Sequence, residues 1–332
     1  MDEWTNMRMN EQNTDLDIRH FGWDDAPALV DLINAVAVAD GTDTTTTLKE
    51  FRQENSGPLA RPERDFLLAV HNDQVVASAS AWMGGREDEP NPTMPLILRI
   101  HPDYRGHGIG ARLLDMALTQ GRELGAAIAT SPVRSQEPTK RDLLLAQGFT
   151  FARYWWSLRA GLAELVDMPP LPAGFRVRPY QGHQDDAPLA TLMSNVFSTH
   201  YLDRTYTVAD VRHWTADGDF DPGLLELAVA DQSGELAGYV WAWIDPARNE
   251  RTGERVGFIG DLGLRAAYRG RGLGRWLLRR TMADLRERGM DWAELEVDGT
   301  NDRARQLYDS EGFQVREEIQ WYEKQLRDDV DA

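Results

Sequence analysis

The pattern of hydrophobic and polar residues predicts the same series of strands and helices twice along the chain. Short apolar or alternating runs indicate strands, and apolar residues recurring every three or four positions indicate helices. The first series has strands at residues 17–21, 66–70, 75–83, 94–100, 126–130 and 149–158, with helices at 25–36, 48–54, 109–124 and 140–147. The second has strands at 175–180, 225–230, 236–244, 255–264, 292–297 and 313–326, with helices at 187–201, 208–216, 273–288 and 302–310. This order predicts an α+β fold in each half.

Short sequence landmarks repeat together with the predicted elements. The run at residues 104–114 matches the run at 268–278, and Gly148-Phe149 recurs 164 residues later as Gly312-Phe313. Because these landmarks keep their order and spacing, we interpret the chain as a duplicated domain. The predicted organisation is a first domain at residues 1–165, a proline-rich connector at 166–174 and a second domain at 175–332.

A glycine-rich turn at residues 268–274 follows an apolar run and opens an amphipathic helix. Glycines allow the backbone to approach a ligand, and the first amide groups of a helix lack partners within it, so this arrangement favours anion binding. Residues 265–280 contain six arginines and no acid, in a chain of formal net charge -18. A phosphate-bearing cofactor would account for such a local excess of positive charge.

Two other nucleotide-binding motifs fit this turn poorly. A Walker loop requires Lys-Ser or Lys-Thr after its last glycine, but Gly274 is followed by Arg275-Trp276. A dinucleotide fingerprint requires a third glycine at position 275, although Glu294 and Glu296 lie about twenty residues further on, where that motif carries an acid. Dinucleotide binding is therefore kept only as a minor alternative.

The composition excludes several classes of protein. The 332 residues are 42% hydrophobic and include no cysteine, which rules out disulfides, zinc-thiolate sites and cysteine nucleophiles, and we expect no metal site. The N-terminus lacks a signal-peptide pattern and no run of eighteen apolar residues occurs, so we expect a soluble, cytoplasmic protein without a membrane partner. The negative charge argues against nucleic-acid binding and favours a cationic substrate such as an amine.

Arg269, Gly272 and Gly274 form an R-x-x-G-x-G motif, and residues 262–274 resemble the strand-to-loop signature of the GNAT acetyltransferase superfamily. The resemblance extends to element order over both halves and implies two tandem GNAT-like domains, each with a mixed, mostly antiparallel sheet flanked by helices. It implies acetyl-coenzyme A as cosubstrate, with its pyrophosphate on the loop. The implied cofactor-binding residues are Leu262, Gly263, Leu264, Arg269, Gly270, Arg271, Gly272, Leu273, Gly274, Arg275 and Asn301.

Candidate catalytic residues lie on both sides of this loop in the second half. Asp261 stands among apolar residues of the strand before the loop, where an acid is costly without a partner or a task. Residues 301–313 resemble the family's N-x-x-A-x-x-L-Y-x-x-x-G-F segment, which makes Asn301 a helix cap and Tyr308 the proton donor to the coenzyme sulfur. Glu294 and Glu296 compete with Asp261 as base or amine ligand, or face solvent.

The first half keeps the glycine loop but lacks these side chains. At the same spacing, Asp261 corresponds to Ile97, Asn301 to Glu137 and Tyr308 to Leu144. We therefore expect a catalytically degenerate first domain. Its loop is a second candidate coenzyme site, formed by Ile100, Arg105, Gly106, His107, Gly108, Ile109 and Gly110.

The predicted function is an N-acetyltransferase that acts on a primary amine of a small molecule or peptide in its second domain. The tandem layout is similar to a two-domain branch of the family whose base is a glutamate at the position of Phe258 here. The alternative is a non-catalytic acyl-coenzyme A sensor or scaffold.

Four tryptophans either line an acceptor cleft or belong to the core, namely Trp214, Trp241, Trp243 and Trp321. Both a monomer and a homodimer are compatible with the sequence.

Overall fold

The computed structural model describes residues 16–84, 91–164, 167–198, 201 and 205–327. Residues 165 and 166, at the predicted boundary and connector, lie outside the described residues. The chain divides into two compact units, and the second spans Arg153–Ile319. The first consists of Met1–Ala152 and Gln320–Ala332. In the described part of the chain, every helix is too short or too polar to cross a membrane.

The first unit contains a sheet with strand order β1-β2-β3-β4-β5, followed by the end of β12 (Gln314–Gln325). All neighbours among β1 to β4 are antiparallel, whereas β4 and β5 are parallel. Its strands are β1 (Leu16–His20), β2 (Phe66–His71), β3 (Gln74–Ala81), β4 (Thr93–Ile100) and β5 (Ile128–Arg134). Its helices are α1 (Ala26–Asp40), α2 (Leu48–Glu54), α3 (Pro62–Asp65), α4 (Ile109–Glu123) and α5 (Pro138–Ala146).

The second unit has the strand order β6-β11-β10-β9-β8-β7. Its strands are β6 (Thr150–Gly161), β7 (Phe175–Pro179), β8 (Leu225–Ala230), β9 (Leu236–Ile244), β10 (Val256–Leu264), β11 (Trp292–Asp298) and the start of β12 (Gln314–Gln325). Its helices are α6 (His183–Phe197), α7 (Val208–Thr215), α8 (Pro246–Thr252), α9 (Leu273–Glu287) and α10 (Asp302–Ser310). The predicted α+β fold of two tandem copies is confirmed, while α3 and α8 were not predicted.

The apolar stripe of α9 determines where this helix lies on the second sheet. Leu273, Leu277, Leu278 and Leu285 recur at helical spacing and are fully buried against apolar residues of the sheet. Tyr239 and Trp241 belong to a separate core cluster with residues of α6 and α7. The sheet therefore has an apolar core on each face, and the loop before α9 is fixed at the end of β10.

The compact units and the sequence repeats divide the chain at different residues. β6 ends the first repeat, but it pairs antiparallel with β11 of the second, from Trp292 opposite Gly161 to Asp298 opposite Trp155. Conversely, the end of β12 belongs to the first unit, where the Leu326 amide donates to the Ala127 carbonyl at 2.7 Å. The final strand of each repeat therefore contributes to the compact unit of the other repeat, β6 to the second unit and the end of β12 to the first. Hydrophobic periodicity encodes the strand but not its partner.

The two parallel strands of the second unit diverge before they end. β10 and β11 pair only at three described positions, from Val256 opposite Trp292 to Phe258 opposite Glu294. A bulge between Ile259 and Asp261 then changes the register of β10 against β9. Because both strands continue beyond the last pair, an opening forms between their ends, which we call the second wedge. In the first unit, β4 and β5 likewise pair in parallel only over Thr93–Pro95 among the described residues, and we call the opening beyond this pairing the first wedge.

Candidate active site

The glycine loop of the second unit has the backbone conformation that the sequence predicts. Gly270 and Gly272 have φ angles of 80° and 84°, in the left-handed region that favours glycine. Helix α9 begins directly afterwards at Leu273, and no side chain caps its first amide groups. These amide groups and the positive end of the helix dipole are thus available to an anion.

Two arginines of the loop, Arg269 and Arg271, have no acidic partner among the described residues. Arg269 donates from Nε to the Leu264 carbonyl at 2.9 Å, which holds its side chain against the end of β10. The Arg271 guanidinium lies 5.5 Å from the ring centre of Tyr268. Neither arginine forms an ion pair with any described residue. They are the arginines of the loop that an anionic ligand could recruit without breaking an existing pair.

The predicted positive region around the loop is smaller than the sequence indicates. Arg275 and Arg279 both pair with Glu311, at 2.8 Å and 2.6 Å. Arg280 pairs with Asp284 at 3.1 Å, and Arg265 lies 3.9 Å from Glu235. Acids outside residues 265–280 therefore pair with four of the six arginines. The coenzyme contact predicted for Arg275 stays a prediction.

Asp261 lies on β10 immediately after the bulge, and a buried tyrosine holds it. The hydroxyl of Tyr239, on β9, donates a hydrogen bond to Oδ2 of Asp261 at 3.2 Å. Burial, followed by the charge of Asp261, raises the pKa of Tyr239 well above its ordinary value. The tyrosine therefore stays protonated and remains a donor. Sequence reasoning missed Tyr239, although a hydroxyl in the otherwise apolar β9 was a detectable signal.

Tyr308 lies on α10, where its side chain is 8% exposed and its ring centre is 5.8 Å from that of Phe313. Burial raises the pKa of Tyr308 to about 12, and the negative charge of Asp261 contributes in the same direction. Tyr308 also belongs to the apolar cluster against which Leu262 and Leu264 of β10 pack. At neutral pH, Tyr308 carries a proton that it can donate.

Asn301 caps α10 as predicted, because its Oδ1 accepts a hydrogen bond from the Ala304 amide at 3.1 Å. This cap fixes the start of the helix that carries Tyr308. The predicted contact of Asn301 with the coenzyme stays a prediction.

Glu294 does not face solvent, contrary to one of the alternatives drawn from the sequence. Its side chain is 3% exposed and lies among three guanidinium groups, from Arg159 at 2.5 Å, Arg248 at 3.2 Å and Arg316 at 3.3 Å. Its carboxylate is therefore the shared partner of three guanidinium groups. Glu296, two residues further on β11, is exposed.

The tryptophans separate into buried and exposed members. Trp241 is 9% exposed and contacts Trp214 edge to face at 5.8 Å, so both belong to the core beneath α6 and α7. Trp243 is 46% exposed and stacks on Phe258 at 6.0 Å. Trp321 lies in the part of β12 that belongs to the first unit. Of these four tryptophans, Trp243 is the one whose ring is exposed on the second unit.

The first unit repeats the loop conformation but not the chemistry around it. Gly106 and Gly108 both have φ angles of 78°. Arg105, which corresponds to Arg269, forms two hydrogen bonds to the carboxylate of Asp40, at 2.7 Å and 2.9 Å. Leu144, at the position of Tyr308, is fully buried. The loop arginine is thus neutralised, and a buried leucine stands at the position of the predicted proton donor.

Comparison with known proteins identifies both repeats. The profile of the acetyltransferase (GNAT) family matches residues 26–149 and 189–313. A mycothiol acetyltransferase of Thermobispora bispora is 30% identical over 289 residues, which cover 87% of this chain and 92% of that protein. The mycothiol acetyltransferase of Salinispora tropica is 34% identical over 301 residues, covering 87% and 90%. These relatives agree with the tandem layout, which resembles that of mycothiol synthase.

Solved structures share the fold. A GCN5-related N-acetyltransferase from Sphaerobacter thermophilus superposes with a TM-score of 0.72 at 23% identity, and the match covers 96% of this chain and 98% of that one. A tandem GNAT protein from the clavulanic acid biosynthesis pathway gives a TM-score of 0.67 at 16% identity, covering 94% and 99%. At these identities the similarity establishes the architecture alone.

Proposed function

The chain belongs to the acetyltransferase (GNAT) family, which makes it an acyltransferase with acetyl-coenzyme A as its donor, and we propose that the second unit carries out the transfer to a primary amine. The observation that carries this proposal is that Tyr308 of α10 belongs to the apolar cluster against which Leu262 and Leu264, the residues after Asp261 on β10, also pack. The glycine loop with its uncapped amide groups follows the same strand. Base, acid and phosphate site thus belong to one unit.

The proposed chemistry needs one proton acceptor and one proton donor. The amine nitrogen attacks the thioester carbonyl, and Asp261, directly or through a water molecule, takes the proton that the nitrogen loses. Backbone amides of residues 262–264 stabilise the oxyanion that develops. As the carbon–sulfur bond breaks, Tyr308 gives its proton to the sulfur, and the products are the amide and coenzyme A. A proton then passes from Asp261 to Tyr308 through solvent, which restores the enzyme.

Charge and similarity guide the choice of acceptor. A chain of net charge -18 attracts cationic amines, and the relatives are named for mycothiol. The amine of the mycothiol precursor is therefore the first acceptor to test, followed by aminoglycosides, polyamines and peptide N-termini. The proposal also includes a cytoplasmic location, a monomer or homodimer, and no nucleic-acid partner.

A matched pair of loop variants tests which unit is catalytic. Gly272→Ala and Gly108→Ala place a side chain at equivalent positions, with φ angles of 84° and 78°, and the new Cβ meets no atom closer than 3.7 Å in either loop. Both variants therefore impose a similar backbone strain of about 1 kcal/mol. We expect Gly272→Ala to lower thiol release from acetyl-coenzyme A about tenfold or more, and Gly108→Ala to leave it unchanged.

The reverse result would place the activity in the first unit. The alternative of a non-catalytic acyl-coenzyme A sensor predicts binding of the coenzyme by calorimetry without thiol release for any amine of the panel. That outcome would overturn the catalytic proposal while leaving the loop as a binding site.

A further inference from the structure

The described part of the proline-rich connector, residues 167–174, lies along helix α9 of the second unit. The indole Nε1 of Trp276 donates a hydrogen bond to the Pro169 carbonyl at 3.1 Å. Three residues further along the helix, Nη1 of Arg279 donates to the Asp167 carbonyl at 3.3 Å. Because these contacts follow opposite orders along the two segments, the connector runs antiparallel to α9, toward the start of the helix.

The connector then reaches the glycine loop. A Cβ placed on Gly272 would lie 3.7 Å from Cγ of Pro172, which is ordinary van der Waals contact. Leu171, the residue before this proline, packs against the apolar core of the second unit and fixes the segment from the other side. Gly272 itself is exposed. The proline ring therefore flanks the loop without closing it.

The side chains that hold the connector are not part of the repeated pattern. At the spacing of 164 residues that relates the two glycine loops, Trp276 corresponds to Arg112 and Arg279 corresponds to Asp115. Neither the indole nor the guanidinium therefore recurs at the equivalent position of α4. The glycine loop is common to both repeats, whereas the surface that holds a connector beside it is a feature of the second.

The connector lies on the outer side of α9. Gly272, Trp276 and Arg279 are four and three residues apart, so they share one side of the helix. The buried leucines of α9, which pack on the sheet, occupy the opposite side. The connector is therefore separated by the helix from the sheet whose strand β10 carries Asp261.

The coenzyme has one orientation under the proposed function, on which this inference rests. Its thioester must reach Asp261, which precedes the loop on β10, while its diphosphate lies on the uncapped amide groups at the start of α9. The adenosine is attached to the other side of the diphosphate, so it leaves the loop in the direction away from Asp261. Pro172 flanks the loop on this outer side.

We propose that the connector forms the outer wall of the coenzyme site in the second unit, with Pro172 in contact with the adenosine end of coenzyme A. The proline ring is apolar and its φ is restricted, so it packs against adenine or ribose without losing side-chain entropy. Trp276 and Arg279 are positioning residues, because they hold the connector by its carbonyl groups. The segment that links the two repeats thus also binds the cosubstrate.

Hydrogen exchange of the connector amides tests this contact without any acetyl transfer. In the full chain, we expect saturating coenzyme A to slow the exchange of the Leu171, Ala173 and Gly174 amides about tenfold. The compound 4′-phosphopantetheine keeps one phosphate and the thiol arm but lacks the adenosine, so it should leave this exchange unchanged at saturation. Equal protection by the two compounds would overturn the contact with the adenosine end.

Two substitutions probe the wall by calorimetry, at the coenzyme A site that Gly272→Ala weakens. Pro172→Ala removes the ring and should raise the Kd of this site about threefold or more, because apolar contact is lost. Trp276→Phe keeps an aromatic ring but removes the donor to the Pro169 carbonyl, and the loss of one hydrogen bond should raise the Kd about fivefold. In steady-state kinetics, the KM for acetyl-coenzyme A should rise in both variants while kcat stays unchanged.

Trp292→Phe is the matched control for Trp276→Phe. Trp292 is an exposed tryptophan of the same unit, and it pairs with Val256 at the start of β10, whereas the loop follows the end of that strand. We expect this variant to change neither the Kd nor the exchange of the connector. An equal rise of the Kd in the two tryptophan variants would overturn the positioning role of Trp276.

Gly272→Ala separates a failure of this inference from a failure of the proposed function. If this variant weakens coenzyme binding, but coenzyme A leaves the exchange of the connector unchanged in the wild type, the wall is overturned and the proposed coenzyme site stands. If coenzyme A binds equally well to Gly272→Ala and to the wild type, the loop is not the site, and both proposals are overturned.

Discussion

The hydroxyl of Tyr239 donates a hydrogen bond of 3.2 Å to Oδ2 of Asp261, which couples a fully buried side chain of β9 to a carboxylate of β10. Tyr239→Phe removes this donor and keeps the ring. We expect kcat to fall about tenfold, because a hydrogen bond to a charged group contributes about 1.5 kcal/mol to holding the carboxylate in place. The KM for acetyl-coenzyme A should stay unchanged in steady-state kinetics.

Tyr180→Phe is the matched control for this substitution. Tyr180 is also buried in the second unit, and its hydroxyl also donates to a carboxylate, that of Asp186. We expect this variant to lower the melting temperature without changing kcat. Equal losses of kcat in the two variants would show that Tyr239 acts only through general stability.

Tyr308→Phe should lower kcat by about 10²-fold, the usual size of a general-acid contribution. Because the pKa of Tyr308 is raised to about 12, its proton is present throughout the neutral range, and the wild-type rate should show no titration of this group below pH 10. Binding of acetyl-coenzyme A, measured by calorimetry, should persist in the variant.

An acetyl thioester with a more acidic thiol provides a further check on Tyr308. Such a thiolate departs without needing a proton. The Tyr308→Phe variant should therefore regain part of its lost rate when this thioester replaces acetyl-coenzyme A. Full turnover of the variant with acetyl-coenzyme A would be incompatible with the assigned role.

Glu294→Gln separates a structural carboxylate from a catalytic one. The substitution leaves Arg159, Arg248 and Arg316 without their shared negative charge, and breaking a buried ion pair costs about 3 kcal/mol. We expect a clear loss of stability in denaturant unfolding and an unchanged kcat per folded molecule at a temperature where the variant is folded. A large fall in kcat without loss of stability would instead favour Glu294 as the base.

Glu226 should make the stability of the second unit depend on pH. Burial, followed by the carboxylate of Asp284, raises the pKa of Glu226 from 4.5 to about 7, with Arg280 opposing the shift. Between these two pH values the folded state binds more protons than the unfolded state. The stability from this group is therefore fully present below pH 4.5 and is lost as the pH rises through about 7.

Glu226→Gln removes this titration, and we expect the variant to be more stable than the wild type at pH 8 by about 1 kcal/mol. The difference should disappear or reverse near pH 5 in thermal unfolding. Glu250→Gln, at an exposed position of α8, should leave the pH dependence unchanged. A wild-type stability that stays constant between pH 5 and pH 8 would contradict the assignment.

Local features of the fold and of the candidate site were predictable from sequence. The positive φ angles of Gly270 and Gly272 follow from the glycines themselves, and the cap of α10 by Asn301 follows from its place before a helical segment. The duplicated order of elements follows from hydrophobic periodicity and repeated landmarks. The resemblance of two short motifs to one family added Asp261 and Tyr308 as candidates.

Other features depend on contacts between residues that are far apart along the chain. Glu311 lies more than thirty residues beyond Arg275 and Arg279, yet it neutralises both. The partner of Asp261, Tyr239, lies on a different strand. Glu294, which the sequence left open as a solvent-facing acid, became buried among three arginines.

The sequence by itself determined the duplicated α+β architecture, the glycine turn before α9 and the absence of cysteine chemistry, because these depend on residue type and on spacing within a few turns or strands. Only the tertiary structure decided which strand pairs with β11 and which arginines near the glycine loop pair with acids. Strand pairing and charge neutralisation depend on distances in space, and periodicity along the chain carries no information about them.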